Sequence, residues 1–200
     1  MKLCDGWIGR SCKYYHNRGQ IAYAKLKSVM LELALLQHKR LSGGYNMADV
    51  NANNVADWFI ARANREREEN FGEGISNLKL QKVLYFSQAA RLALDSKPLF
   101  KDEIHAWDYG PVINSVYHDF KRNQNTAIKN PKGDAYEAFE PQTTAFLEDI
   151  WQLFGKYSAG KLVAMTHAHA PWKDTYDGTP NKVITKSSIE KYYKNVFVRT

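Results

Sequence analysis

The segment of residues 77–95, with the sequence NLKLQKVLYFSQAARLALD, constrains the fold more than any other part of this 200-residue chain. Its apolar residues recur at helical spacing on one side, and large residues such as Tyr85 and Phe86 occupy much of the opposite side. A helix that is apolar almost all round is stable only where other elements cover it. The sequence therefore predicts a helix through the centre of the domain, with Ser76 as its N-cap and Pro98 shortly beyond its end.

Shorter amphipathic stretches predict further helices that cover this central one. Val55, Phe59 and Ala63, for example, fall at i, i+4 and i+8 and form a core-facing stripe. Weak alternation over residues 103–107 predicts an extended segment, and the polar residues 121–141 predict a long loop or a short hairpin. The predicted fold is mainly α, a compact single domain of about five to seven helices that allows a small β-hairpin or short extended segments.

Three more helices are predicted in the C-terminal third of the chain. The first covers roughly residues 145–157, and the second starts at Ser158 and is ended by Pro171. The third is a last amphipathic turn or two near Tyr192, where Ser187 and Glu190 have the spacing of a capping box.

Residues 106–120, AWDYGPVINSVYHDF, contain a Gly-Pro step that is followed by helical spacing. Proline is favoured in a first helical turn, because its missing N–H would have no partner there, so a helix is predicted from about Pro111. Its side chains would form one continuous apolar face, which predicts that the aromatic residues are core first and partner contacts second. This face comprises Tyr109, Val112, Ile113, Val116, Tyr117 and Phe120.

The positive charge of the chain is concentrated at its N-terminus. Residues 1–46 hold eight basic and two acidic residues, which leaves 20 basic and 19 acidic residues for the remainder of a chain whose net charge is +7. The body therefore has no excess of cations to neutralise phosphates, and nucleic-acid binding is not favoured. No run of about 20 apolar residues indicates a membrane helix. The two cysteines, Cys4 and Cys12, form no disulfide framework, so a cytoplasmic location is predicted.

A change in sequence texture near position 46 divides the chain. Residues 1–46 are interpreted as an N-terminal extension, with the hypothesis that they are a translated leader, and residues 47–200 as the domain. Under this hypothesis translation begins at Met47, and mass spectrometry of the native protein would find that N-terminus; an intact Met1 would refute it.

The sequence contains no known catalytic motif. There is no G-x-S-x-G elbow, no H-E-x-x-H, no phosphate-binding loop and no complete G-x-G-x-x-G. His167 and His169, followed by Asp174 and Asp177, are residue types that bind zinc or manganese. Histidines at i and i+2 of a helix point to different sides, however, so neither a metal site nor a cofactor is predicted. The chain is interpreted as a non-enzyme, with a metal-dependent hydrolase using His167 or His169 as an alternative.

Three separated blocks carry a resemblance to a known family. NLKLQKVLYFSQ, PLFKDEIHAWDYGPVINSVYHDFK and LVAMTHAHAPW, in this order and at this spacing, resemble the SocA-like antitoxins, or Panacea domain, also described as phage-associated GepA-like proteins. The resemblance runs from about Val55 to Trp172. It implies an antitoxin of a bacterial or prophage toxin-antitoxin system that neutralises its toxin by direct protein contact.

The family resemblance also implies a partner, a cognate toxin that is usually encoded in an adjacent gene. Toxins of the family are unrelated to one another, so the resemblance does not identify this one. The alternative is a phage-associated accessory interaction protein that has no toxin. A homo-oligomer is compatible with either interpretation.

Eight residues of the matching blocks are the candidates for toxin contact. We expect Gly110→Val to be more harmful than Pro111→Ala if Gly110 has a positive φ. The candidates are Trp107, Asp108, Tyr109, Gly110, Pro111, Tyr117, His167 and Trp172.

Overall fold

The computed structural model describes residues 50–70, 73–132 and 139–198. Helices account for 62% of these residues, which confirms the prediction of a mainly α domain. The interpretations of residues 1–46, including Cys4 and Cys12, and of a start at Met47 concern residues outside the described ranges.

The described elements are seven α-helices, a 3-10 turn and three short strands. In chain order they are α1 (Ala52–Asn70), α2 (Asn77–Asp95), β1 (Ile104–Trp107), β2 (Gly110–Val112), α3 (Asn114–Phe120), the 3-10 turn (Lys121–Asn123), α4 (Pro141–Phe154), α5 (Ala159–His167), α6 (Ala170–Lys173), β3 (Lys182–Ile184) and α7 (Lys186–Val198).

Helix α2 occupies the centre of the domain, as its apolar sequence predicts. It packs against α7, α5, α1, α4, α3 and β2, and nearly all of its side chains before Ala93 are buried. Ser76 caps its N-terminus, where the hydroxyl accepts a hydrogen bond from the Lys79 backbone N–H at 3.4 Å. Ser96, in the left-handed conformation, closes the other end by donating its N–H to the Leu92 carbonyl.

Aromatic contacts join α2 to the helices around it. The rings of Phe86 and Phe154 stack with centroids 4.4 Å apart, and both side chains are fully buried. A second contact joins α1 to α4, where the ring centroids of Phe59 and Trp151 lie 6.2 Å apart. These large side chains fill the space between three helices, so the core depends on close packing.

Buried polar side chains of α2 hold the non-helical segment that follows. Gln88 accepts hydrogen bonds from the N–H groups of Leu99 and Phe100 and donates to the Phe100 carbonyl at 2.9 Å. Gln81 accepts from the Ile113 N–H at 2.8 Å. Because buried backbone groups need partners, these two glutamines position the chain on both sides of the sheet.

The sheet is antiparallel, with the order β2-β1-β3. His105 of β1 lies opposite Val112 on one side and Val183 on the other. β1 confirms the predicted extended segment, although β3 had no clear signal in the sequence.

The predicted helix start at Pro111 is wrong. Gly110–Val112 is strand β2, and helix α3 begins at Asn114. Gly110 has a φ of +95°, which directs the chain into a tight hairpin after the two-residue turn Asp108–Tyr109. Pro111 is tolerated because β2 is at the edge of the sheet, where a strand can lack an N–H.

Two other predicted helix boundaries are also wrong. Helix α5 ends at His167, and Pro171 lies in the first turn of the short α6. Helix α7 begins at Lys186 with Thr185 ahead of it, whose hydroxyl accepts from the Ser188 N–H at 3.2 Å. The capping box predicted from Ser187 and Glu190 is therefore not formed. Within the described ranges, no helix is both long and apolar enough to span a bilayer.

We predict that Phe86→Ala lowers the free energy of unfolding by about 3–5 kcal/mol, because it removes a stacked, fully buried ring from between α2 and α4. Urea denaturation measures this loss, and Phe86→Leu, which retains most of the volume, should cost clearly less. Equal stability of Phe86→Ala and the unmodified protein would contradict this account of the core.

Candidate functional site

The structure brings all eight predicted site residues together around the turn between β1 and β2. We call residues 107–111 the hairpin tip. Tyr117 of α3 contacts it through its ring, which lies 4.8 Å from the Trp107 ring. His167 and Trp172 approach it from the end of α5 and from α6.

Three side chains outside the hairpin bind the tip by hydrogen bonds. The indole N–H of Trp172 donates to the Trp107 carbonyl at 2.9 Å. The Tyr176 hydroxyl donates to Asp108 Oδ1 at 2.7 Å, and the Trp107 indole N–H donates to Asn181 Oδ1 at 2.8 Å. The tip is thus fixed to α6 and to the segment between α6 and β3.

A stack of three rings supports the side of the tip. His167 lies on Trp172 with centroids 3.8 Å apart and planes 11° apart, and Trp172 lies on Tyr176 at 4.9 Å and 15°. We call His167, Trp172 and Tyr176 the ring stack. Offset ring contacts of this kind contribute roughly 0.5–1.5 kcal/mol each beyond the area that they bury.

The aromatic residues of the tip, and Tyr117 beside it, are not core residues. Tyr109 is 69% exposed at the turn, so the prediction that it lies on a buried helix face is wrong. Trp107 and Tyr117 are half-buried. Four other residues of the predicted face are buried as expected: Val112, Ile113, Val116 and Phe120. Tyr109 has the same spacing in the sequence, but it precedes the helix and lies in the turn, so the spacing does not predict its burial.

Lys82 lies beneath the tip and is completely buried. Its ammonium donates to the Pro111 carbonyl at 2.8 Å. Burial lowers the pKa of Lys82 from 10.5 to about 7. A β-carbon on Gly110 would stand 3.0 Å from Lys82 Cε and 2.7 Å from Thr166 Oγ1, so only a glycine fits over these two side chains.

The two candidate histidines face different surroundings. Burial, and then the charge of Lys82, lowers the pKa of His167, while a hydrogen bond to the Asp108 backbone opposes that shift. His169 is almost fully buried, with Nδ1 2.9 Å from the Tyr193 hydroxyl, and burial lowers its pKa to about 3. The pair does not converge on one ion. Over the described residues, no group of three or more His, Cys, Asp or Glu side chains could hold a metal.

Sequence reasoning missed four residues that build this site: Lys82, Thr166, Tyr176 and Asn181. A lysine inside a helix predicted to be covered on nearly all sides was a usable signal for Lys82, since a buried cation needs an acceptor. Tyr176 and Asn181 lie in a polar loop far along the chain from the hairpin, and nothing in their local sequence indicates the contact.

Comparison with known proteins bears on the same region. Residues 80–173 match the family described as "Antitoxin SocA-like, Panacea domain". Residues 80–173 are similar to the Panacea domain of SocA-like antitoxins. This match confirms the resemblance that the three sequence blocks indicated.

A relative of this chain is Antitoxin SocA of Caulobacter vibrioides (strain NA1000 / CB15N), which is 37% identical over 109 residues. The alignment covers 49% of this chain and 58% of that relative, so the chain spans less than two thirds of the relative's length. No solved structure matches. The family match runs from within α2 to the end of α6, and so includes Lys82, the whole hairpin tip, His167 and Trp172.

We predict that Gly110→Ala destabilises the domain by about 2 kcal/mol or more. An L-residue at this positive φ costs roughly 1–2 kcal/mol, and its β-carbon would displace Lys82 or Thr166 in addition. Pro111→Ala should cost only about 1 kcal/mol, mainly through a more flexible unfolded chain. Thermal and urea unfolding compare the two variants, and equal losses would argue against the tight turn.

We predict that the stability of the domain rises with pH between about 7 and 9. Over this range an unfolded Lys82, with its ordinary pKa of 10.5, keeps a proton that the native, buried amine has released. Raising the pH therefore favours the native state, by about 1–3 kcal/mol across the window. Urea unfolding at several pH values should show this rise in the unmodified protein and a flatter profile in Lys82→Met. Parallel profiles would contradict the assignment to Lys82.

Proposed function

We propose that this chain is an antitoxin that binds a toxin encoded by an adjacent gene, and that the hairpin tip is its contact surface. The observation that carries the proposal is the 69% exposed ring of Tyr109, which stands on a tightly held turn inside the segment that matches the antitoxin family. The relative's name, Antitoxin SocA, supports the same role.

The physical properties of the tip suit a protein interface. Tyrosine and tryptophan are the most frequent anchors of such interfaces, because they bury a large area with few rotatable bonds. Trp172, Tyr176 and Asn181 already hold the tip by hydrogen bonds before any partner arrives. Binding therefore loses little conformational entropy, which favours affinity.

Neutralisation by this route needs no chemical step. A bound antitoxin keeps a toxin from its target by occupying the surface that the toxin uses, for as long as the complex lasts. The chain acts in this proposal as a stoichiometric inhibitor, not as an enzyme, and the two proteins meet in the cytoplasm.

We predict that Tyr109→Ala abolishes or strongly weakens protection when the adjacent gene's product is co-expressed in a bacterial host. Removal of a central aromatic anchor costs about 2 kcal/mol or more of binding free energy, which is roughly a thirtyfold loss of affinity. Growth of the host reports protection, and titration calorimetry of the purified pair reports affinity.

Val183→Ala is the matched control for that variant. Val183 is the other large hydrophobic residue that is exposed within the described ranges, and it lies in β3 opposite His105, away from the turn. It should protect as well as the unmodified chain, while both variants keep their melting temperature. The proposal fails if the adjacent product is not toxic alone, or if Tyr109→Ala protects fully.

A further inference from the structure

The carboxylate of Asp108 is exposed at the hairpin tip, and among the described residues it takes part in no ion pair. One oxygen accepts the hydrogen bond of the Tyr176 hydroxyl at 2.7 Å. Within the described part of the chain, no lysine, arginine or histidine nitrogen forms an ion pair with it, whereas Asp177 and Glu190 are paired with Lys182 and Lys194. Asp108 therefore has acceptor capacity left for a group outside this chain.

Aromatic residues precede and follow Asp108 in the chain, and the Tyr176 hydroxyl contacts its carboxylate. Tyr109 follows it in the chain with most of its ring in solvent, and Trp107 precedes it, half-buried against the Tyr117 ring. Tyr176 approaches from the ring stack. The tip thus combines an unpaired negative charge with ring surfaces in the space of a few residues.

This combination matches the chemistry of an arginine side chain. A guanidinium is planar, presents several N–H donors to a carboxylate at once, and packs its faces on aromatic rings. A lysine ammonium is a compact, strongly hydrated charge that cannot stack in this way. The exposed ring and the carboxylate together favour the guanidinium.

We propose that the hairpin tip binds an arginine side chain of the partner protein, with Asp108 accepting its N–H donors and the Tyr109 ring packing against its face. This inference rests on the proposed function, since the arginine belongs to the product of the adjacent gene. It adds the chemical identity of the group that the tip recognises.

Titration calorimetry of the full chain with the adjacent gene's product, at low and at high salt, tests this inference. Asp108→Asn keeps a residue that suits the turn and retains an acceptor for Tyr176, but removes the charge. We expect a loss of affinity of about tenfold or more at low salt, with a smaller difference at high salt, because salt screens the lost attraction. Tyr109→Phe should bind like the unmodified chain, and Tyr109→Leu about fivefold more weakly.

Glu69→Gln is the matched control, since it removes the same charge from an exposed carboxylate of α1. It should leave the affinity unchanged. A second arm exchanges the two charges. We expect Asp108→Arg to abolish binding to the unmodified product, and we expect one Arg→Asp variant of the product to bind the Asp108→Arg chain.

Three results separate the two proposals. Failure of the unmodified chain to bind the product overturns the proposed function, and the arginine site with it. Unchanged binding by Asp108→Asn, while the unmodified chain binds, overturns the arginine site alone. Failure of every Arg→Asp variant to restore binding to Asp108→Arg also overturns it.

Discussion

The hydrogen bond from the buried side-chain nitrogen of Lys82 to the Pro111 carbonyl is the interaction on which the hairpin depends. Removing a lysine from water is costly, and here burial lowers its pKa to about 7. The side chain reaches from the central helix to the edge strand and holds Pro111 at a fixed distance from α2. Gln81 and Gln88, on the same helix, hold Ile113 and the Leu99–Phe100 backbone in the same manner. One helix therefore positions the whole non-helical segment beside it.

Supporting groups contact the tip from beneath and from the side. Lys82 and Thr166 lie under Gly110, while the ring stack and Asn181 hold Trp107 and Asp108. Tyr109 remains 69% exposed at the turn. A surface held in this way can bind a partner without first being ordered, which is the property that the proposed antitoxin role requires.

The sequence predicts those parts of the fold that local patterns control, and fails where distant residues meet. Helix α2 follows from its almost continuous apolar surface, and β1 from weak alternation. The prediction of a helix start at Pro111 fails because a proline suits an edge strand as well as a first helical turn. The sequence also does not reveal that Gly110 has a positive φ. The contacts between Asp108 and Tyr176, and between Trp107 and Asn181, join positions 68 and 74 residues apart, so no local pattern indicates them. All eight predicted site residues nevertheless meet at the tip, and their role in binding stays a prediction.

The most direct test of the central claim, that the supported hairpin tip is the binding surface, is hydrogen exchange of this chain alone and in complex with the adjacent gene's product, measured by mass spectrometry. The account predicts slower backbone exchange in the complex at residues 107–111 and 172–176, with little change in α1 and α4. Protection confined to α1 and α4, with the tip exchanging as it does in the free protein, would contradict it.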